Sequence, residues 1–198
     1  RDGKMKDILN SRVKHREEFR PFAPACMREK VSEFFDLDMD APFMLLIVSA
    51  REKAKTLLPA VVHADNSSRV QTVDAVANPD LYRILAEYEK ITGLPVMINT
   101  SFNVNGETIV NSARDAIESF GFMDIDYLAI GKCWVDKEAN AAILPKLGHD
   151  EYLAIRRKRF REMNYGPLAD LDINLFDASF KMNPDEVARI AQENSQRS

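Results

Sequence analysis

The chain has 198 residues, a formal net charge of −4 and an apolar content of 45%. This apolar content is enough to build one buried core, which excludes a largely disordered chain. The acidic balance argues against a general nucleic-acid surface, so nucleic acid is not an expected partner.

Helices and strands are predicted to alternate along the chain, which favours an α/β layer fold. One helix is predicted to begin at the Asn78 cap and Pro79 and to stop at Gly93. Another begins at the Ser112 cap, where Asp115 completes a capping-box-like pattern, and runs to about residue 120. Further helices are predicted at residues 5–11, 26–35, 150–163 and 184–192, and residues 193–198 are expected to fray.

Strands are predicted from short apolar or β-branched runs bounded by turn residues. Residues 43–49 are expected to form a buried strand because the run is continuously apolar. Residues 61–63 and 69–73 are expected to pair with each other. The other predicted strands are residues 96–98, 108–110, 127–130 and 133–135.

Two observations bear on the cellular compartment. The longest apolar run, residues 43–48, is far too short to cross a bilayer, so no membrane partner is expected. Cys26 and Cys133 lie far apart in sequence and form no C-x-x-C or Cys/His cluster. This pattern is typical of a reducing compartment and predicts no metal site in the chain. We therefore expect a cytoplasmic protein.

Residues 99–107 (NTSFNVNGE) follow a short apolar run, and five of the nine can hydrogen-bond through a neutral side chain. Such residues are poor strand formers, so they predict a loop at a strand end. Ligands bind beyond the carboxyl ends of strands in open α/β sheets. The alternative is a turn that satisfies its own backbone.

Residues 13–24 (VKHREEFRPFAP) place three cations within seven residues, before two prolines. In an extended backbone Lys14, Arg16 and Arg20 would share a face. In a helix that ends at Pro21, Arg16 and Arg20 would still do so. Such a group can clamp phosphate or carboxylate, and the alternative is a solvated face on which Glu17 and Glu18 pair the cations.

A third segment, residues 63–73 (HADNSSRVQTV), has the pattern of a strand, a polar turn and a strand. Arg69 opens the second strand. A lone arginine or histidine in this position is more often a surface or structural residue than a ligand contact, so Arg69 and His63 become candidates only in combination with the other two segments.

Together the three segments resemble the C-terminal region of O-carbamoyltransferases of the nodulation and antibiotic-biosynthesis type. The resemblance continues through residues 115–117, Phe120 and residues 126–131, and it ends at about residue 135. One departure is the turn at residues 66–68, where relatives commonly have glycine. In that family the region is a YrdC-like domain, which implies an open, twisted mixed sheet with flanking helices, followed here by a helical C-terminal tail.

The resemblance also implies a domain organisation. Residues 1–135 would be the core that forms carbamoyl-adenylate. Residues 136–198, which match no motif, would be a family-variable helical extension of the same folded unit. The chain does not begin with methionine, so we expect it to be a piece of a longer protein. The family's N-terminal metal-binding domain of the actin-like ATPase class would be the main partner, and any iron or other metal would belong to that domain. A homodimer is a further hypothesis.

By resemblance, the positions that hold carbamoyl phosphate are Lys14, Arg20, Arg69, Asn99 and Ser101. Ser101 and Asn103 also match an S-x-N element that serves the nucleotide end, and they are the implied catalytic residues. Secondary candidates are Arg16, His63, Thr100 and Asn105. Arg16 is expected to matter less because Glu17 or Glu18 can pair with it.

The implied reaction is attack of a carbamoyl oxygen on the α-phosphorus of ATP, with Mg²⁺, which gives carbamoyl-adenylate and pyrophosphate. The absent domain would then transfer the carbamoyl group to a hydroxyl acceptor. One alternative is a threonylcarbamoyl-adenylate synthase, which shares the fold but uses threonine and bicarbonate. Residues 20–24 and 69–73 favour the carbamoyltransferase.

A second alternative is a non-catalytic anion-binding module whose basic helix near Arg156 docks a partner. We favour a simpler interpretation of that helix, in which its basic residues form a solvated face next to an acidic surface of the same protein.

Overall fold

The computed structural model of the protein describes residues 2–104, 106–144 and 149–162. The described chain has a mixed α/β fold, with small sheets and flanking helices, and this confirms the predicted class. Its α-helices are α1 (Met5–Ile8), α2 (Val31–Phe34), α3 (Glu52–Leu57), α4 (Pro79–Thr92), α5 (Ala113–Phe122) and α6 (His149–Glu162). Its strands are β1 (Ala23–Met27), β2 (Ile47–Ser49), β3 (Ser67–Arg69), β4 (Gln71–Val73), β5 (Val96–Asn99), β6 (Tyr127–Ile130) and β7 (Cys133–Asp136).

The central sheet has the order β4-β1-β5, with β1 parallel to β4 and antiparallel to β5. Because of these directions, the beginning of β1, the beginning of β4 and the end of β5 lie at one end of the sheet. The register places Ala23 opposite Asn99. The three polar segments identified in the sequence therefore meet the sheet at the same end, which positions the candidate site.

The prediction of a helix over residues 26–35 is wrong at its beginning. Cys26 lies on β1, whose residues are all buried, and the helical part starts with one 3₁₀ turn at Arg28–Lys30 before α2. Cys26 pairs with Thr72 on one side and Val96 on the other, and this pairing with strands on both sides satisfies the β1 backbone. Tertiary pairing decides the structure here.

The prediction of a buried strand over residues 43–49 is also wrong. Only Ile47–Ser49 is a strand, and Phe43 and Leu45 are 76% and 81% exposed. Met44 has a positive φ of 54°, which interrupts an extended backbone. β2 pairs only with β3 in the described chain, so no second layer covers these side chains.

Three further strand predictions need correction. The predicted strand 69–73 is divided at Val70 into β3, which pairs with β2, and β4, which pairs with β1. Residues 61–63 are not a strand, because a 3₁₀ turn occupies Pro59–Val61. Residues 108–110 form no strand either.

The other predicted elements are confirmed. The helix predicted at residues 5–11 is longer than expected, because α1 continues through wider π-type turns over Leu9–Lys14 and ends at His15 with φ 48°. β6 and β7 form an antiparallel hairpin. The predicted helix at 150–163 is α6, whereas Met163 and the predictions at 184–192 and 193–198 lie outside the described residues. Within the described chain, no helix has the length and apolar character to cross a membrane.

Candidate active site

Lys14, the last residue of the π-type turns, ties the start of the site to the loop that follows β5. We call residues 99–107 the site loop; Asn105, one of the secondary candidates, lies outside the described residues. The Lys14 Nζ atom lies 2.9 Å from the carbonyl oxygen of Asn103 and 3.0 Å from its Oδ1 atom. It also donates to the carbonyl oxygen of Ser101 and lies 3.4 Å from Ser101 Oγ. The predicted cation and the S-x-N pair are therefore in direct contact.

Lys14 is only 4% exposed, and this affects its charge. The pKa of Lys14 is lowered to about 8, first by burial and then by the positive charge of Arg16, while the carboxylate of Glu107 opposes both. The ammonium form is held by acceptors on the site loop rather than by a carboxylate within hydrogen-bonding distance. Lys14 thus brings a positive charge close to Ser101 while it fixes the loop.

Arg16 lies beside two other arginines. Its guanidinium stacks on the ring of Phe22 at 4.7 Å, and its Nε donates to Asn10 Oδ1 at 2.8 Å. The pKa of Arg16 is lowered, first by burial and then by the positive charge of Arg20; Glu17 opposes this, and Arg69 lowers it further. Because Lys14, Arg20 and Arg69 are each within electrostatic range of Arg16, these four side chains form one positively charged region.

The expectation that Glu17 or Glu18 would neutralise Arg16 needs correction. Glu17 forms its ion pair with Arg20, at 3.5 Å between Arg20 Nε and Glu17 Oε2, and both side chains are partly exposed. Arg16 instead has Asn10 and Phe22 as neighbours, neither of which carries charge. Glu17 is thus ion-paired with Arg20 and acts on Arg16 only through its charge.

Asn10 is a residue that the sequence analysis missed. It is fully buried, and its Nδ2 donates to the carbonyl oxygens of Glu18 and Arg20 at 3.2 and 3.0 Å. Its Oδ1 accepts from Arg16. One amide thus holds the irregular segment that carries Arg16 and Arg20 against the helix before it. The only signal in the sequence is a polar residue between Leu9 and Val13 on a helix.

Arg69 and His63 approach this region from the β3 side. Arg69 is the last residue of β3, separated from β4 by Val70, and its side chain is exposed. His63 Nδ1 lies 3.1 Å from Ser67 Oγ. Burial lowers the pKa of His63; Asp65 opposes this, and the positive charge of Arg69 adds to it. His63 is therefore a hydrogen-bonded neighbour of the arginine group.

Asn99 and Thr100 begin the site loop at the same end of the sheet. Asn99 Nδ2 donates to Gln71 Oε1 at 2.5 Å, which links β5 to β4 across β1. Thr100 is exposed. Asn99 is thus used in a structural hydrogen bond.

The other end of the site loop is fixed by Glu107, a second residue that the sequence analysis did not select. Glu107 is 4% exposed, and its Oε2 accepts from the backbone N–H of Val104 at 3.1 Å. Its carbonyl oxygen accepts from Asn103 Nδ2 at 2.9 Å. Asn103 is therefore held on one side by Lys14 and on the other by Glu107. Ser101 is exposed beside it, and its hydroxyl donates to Asn103 Oδ1.

Comparison with known proteins identifies the family. Residues 1–137 match the model of the family described as Carbamoyltransferase C-terminus. The chain belongs to this family.

Individual relatives agree with this assignment. The chain is 42% identical over 140 residues to nodulation protein NolO of Bradyrhizobium diazoefficiens, covering 69% of the chain and 26% of that protein. It is 38% identical over 141 residues to nodulation protein U of Rhizobium tropici, covering 71% and 24%. It is 36% identical over 136 residues to the 3'-hydroxymethylcephem-O-carbamoyltransferase of Streptomyces clavuligerus, covering 69% and 26%. The chain spans about a quarter of the length of these curated relatives.

Proposed function

We propose that the chain is the C-terminal part of an O-carbamoyltransferase and that it forms carbamoyl-adenylate from carbamoyl phosphate and ATP. The observation that carries this proposal is the contact of Lys14 with Ser101 and Asn103, beside Arg16, whose pKa is lowered by burial and then by the positive charges of Arg20 and Arg69. The family and the relative named as a carbamoyltransferase support the general reaction class.

The chemistry of carbamoyl phosphate fits this arrangement. Its phosphate is an anion that needs several cations, and the guanidinium groups of Arg16, Arg20 and Arg69 have the geometry to bind it. Its carbamoyl end is a planar, neutral amide that needs neutral donors and acceptors. The exposed hydroxyl of Ser101, fixed by Asn103, is a group of that kind at the edge of the positively charged region.

The reaction must release two products besides carbamoyl-adenylate. Carbamoyl phosphate carries its own phosphoryl group, so water must first convert it to carbamate and inorganic phosphate. An oxygen of carbamate then attacks the α-phosphorus of ATP, and pyrophosphate leaves. Positive charge beside the reacting oxygens stabilises both steps, because negative charge shifts onto the leaving groups. When bound with ATP, Mg²⁺ neutralises part of the charge on the pyrophosphate.

The partner in the complete reaction would be the N-terminal metal-binding domain of the same protein. It would receive carbamoyl-adenylate and move the carbamoyl group to a hydroxyl acceptor. This part of the proposal rests on the resemblance and on the share of the relatives that the chain does not cover.

We expect substitution of Arg20 or Arg69 by alanine to weaken carbamoyl phosphate binding by roughly 1.5–3 kcal/mol, the range for hydrogen bonds to charged groups. Arg16→Ala should cost at least as much, because its guanidinium is fixed on the buried Phe22 ring and lies within electrostatic range of Arg20 and Arg69. Titration calorimetry measures the affinities. The melting temperature should change little for Arg20 and Arg69, since Arg69 is exposed and the Arg20–Glu17 pair is partly exposed.

The matched control is Arg83→Ala, which removes an exposed arginine paired with Asp80 on α4. It should bind carbamoyl phosphate like the wild type. Equal affinity in the control and in all three cluster variants would contradict the proposed clamp.

We expect the affinity for carbamoyl phosphate to fall as the pH rises through about 8, because Lys14 then loses its charge. Lys14 affects the stability of the folded protein in the opposite direction. Its pKa is about 8 in the folded protein and 10.5 ordinarily, so between these values the unfolded chain binds more protons and this group makes stability rise with pH. Calorimetry from about pH 6.5 to about pH 9.5 measures the affinity, and Lys14→Met should remove the step near pH 8. A step of the same size in that variant would contradict the assignment to Lys14.

The experiment that separates the candidate functions uses three substrate mixtures, each with ATP and Mg²⁺. With carbamoyl phosphate, the proposal expects equal amounts of phosphate and pyrophosphate, and carbamoyl-adenylate by mass spectrometry. With threonine and bicarbonate it expects neither pyrophosphate nor an adenylate, whereas a threonylcarbamoyl-adenylate synthase would give both. A binding module would give no product with either mixture while retaining affinity for carbamoyl phosphate. ATP alone is the third mixture and the blank.

A further inference from the structure

Helix α6 lies beyond residues 1–137, which the family model matches, and yet it contacts the end of the site loop. Tyr152 donates its hydroxyl proton to Glu107 Oε1, and Arg156 Nε lies 2.9 Å from the same oxygen. A Cβ placed on Gly106 would lie 3.5 Å from Leu153 Cδ1, so the helix also packs against the turn before Glu107.

The contact is buried. Tyr152 is 1% exposed, and its ring stacks on Phe122 with centroids 4.8 Å apart and planes 9° apart. Its hydroxyl also lies 2.6 Å from Ser119 Oγ, and Ser119 donates to Glu107 Oε1 at 2.9 Å. Burial raises the pKa of Tyr152, and its hydrogen bond to Glu107 raises it further. The tyrosine is therefore a neutral donor to the carboxylate.

Arg156 supplies the opposite charge. Its side chain is 13% exposed, so it is not part of a solvated basic face and is not available to dock a partner. It pairs with Glu107 and Asp115, and its Nη1 lies 3.9 Å from Glu118. Burial by itself would raise the pKa of Asp115, but hydrogen bonds from Arg156 and Ser112 and the charge of Arg156 outweigh it and the pKa is lowered. One arginine thus offsets part of the negative charge of an acidic cluster that includes the loop carboxylate.

These contacts connect α6 to the candidate catalytic residues in two steps. Tyr152 and Arg156 hold the carboxylate of Glu107. The carboxylate holds the N–H of Val104, and the carbonyl of the same glutamate accepts from Asn103. A buried carboxylate that loses its counter-charge or a donor moves towards water, and it would take the end of the loop with it.

We propose that Tyr152 and Arg156 are positioning residues that hold the Ser101–Asn103 element in its reactive geometry through Glu107. This inference rests on the proposed function for its effect on turnover, but its structural part stands on the contacts alone. It assigns an active-site role to a helix outside the region that the family model matches.

The test uses Tyr152→Phe and Arg156→Gln in the complete chain. The controls are Tyr82→Phe and Arg83→Gln, which remove the same groups from partly or largely exposed positions on α4. Amide hydrogen exchange over residues 99–107 should accelerate about tenfold or more in the two α6 variants and should stay at the wild-type rate in the controls, since each α6 variant loses a hydrogen bond to a charged group. Wild-type exchange in both α6 variants would overturn the inference.

Kinetics tests the link to catalysis. Turnover should fall about tenfold in each α6 variant, while the KM for carbamoyl phosphate should change less than about threefold. Combined with Ser101→Ala, Tyr152→Phe should add little further loss, because both changes act on the same element. If α6 only stabilised the fold, the losses of turnover from Tyr152→Phe and Ser101→Ala would multiply in the double variant, and that result would overturn the positioning role.

The two proposals fail in distinguishable ways. If the wild type releases no pyrophosphate, the proposed function fails, and hydrogen exchange still decides whether α6 holds the loop. If the wild type is active and both α6 variants match it in turnover and exchange, the inference alone fails.

Arg156→Lys serves as the conservative variant and should restore most of the turnover that Arg156→Gln loses.

Discussion

Replacement of Lys14 by methionine should lower the rate of carbamoyl-adenylate formation about 100-fold or more, equivalent to the loss of two hydrogen bonds to a charged group. The variant loses the positive charge beside Ser101 and the donors to three oxygens of the site loop. Because Asn103 is buried, its carbonyl oxygen would be left without the donor it has now. The free energy of unfolding should fall by only about 1–3 kcal/mol, since methionine also avoids the cost of burying an ammonium.

Steady-state turnover and thermal melting measure these two effects separately. Lys90→Met, which removes an exposed lysine from α4, is the matched control and should resemble the wild type in both. Lys14→Arg keeps the charge, and it should retain more turnover than the methionine variant. Wild-type turnover in a folded Lys14→Met protein would exclude Lys14 from the site.

Ser101→Ala should lower turnover about 10- to 100-fold, weaken carbamoyl phosphate binding by a smaller factor and leave the melting temperature nearly unchanged. Ser101 is exposed, and its hydroxyl is held in place by Asn103, so its contribution should appear when an oxygen gains charge in the transition state. Asn103→Ala should lower turnover at least as much and should also reduce the free energy of unfolding by about 1–3 kcal/mol. That residue is 7% exposed and is bonded to Lys14, Ser101 and Glu107.

The competing explanation is that both residues merely hold the turn before Gly106. Stability, affinity and turnover would then fall together in both variants. Ser32→Ala, an exposed serine on α2, controls for loss of a hydroxyl. A Ser101→Ala variant with normal melting and normal turnover would remove that residue from the site.

Local chemistry made part of the fold predictable. The side chain of Asn78 accepts from the N–H of Leu81, that of Ser112 accepts from the N–H of Asp115, and Gly93 has the left-handed φ of 72° that ends α4. Each of these residues lies within a few positions of the helix end that it sets, so the local sequence is enough to predict that helix end.

Elements whose structure depends on distant partners were not predictable in the same way. β1 is a strand because β4 and β5 pair with its two edges. The apolar run around Leu45 predicted a buried strand, but the described chain offers no layer to cover it. In both cases the local pattern was compatible with more than one environment.

In the candidate site, too, some features depend on local sequence and others on distant parts of the chain. The residue types of the cationic segment and of the S-x-N element were visible in the sequence, and the resemblance gave them roles. The two segments meet because of the strand directions in the sheet, and the local sequence does not predict these directions. Glu107 and Tyr152 were missed because they are 45 residues apart and because each is ordinary in its own segment.

The most direct test of the central claim is exchange of labelled pyrophosphate into ATP, which reports the reversal of adenylate formation. With Mg²⁺ and carbamoyl phosphate present, we expect the wild type to incorporate label. Omission of carbamoyl phosphate should abolish the exchange, and Lys14→Met and Ser101→Ala should strongly reduce it. Exchange that is independent of carbamoyl phosphate, or that is as fast in these two variants as in the wild type, would contradict carbamoyl-adenylate formation at this site.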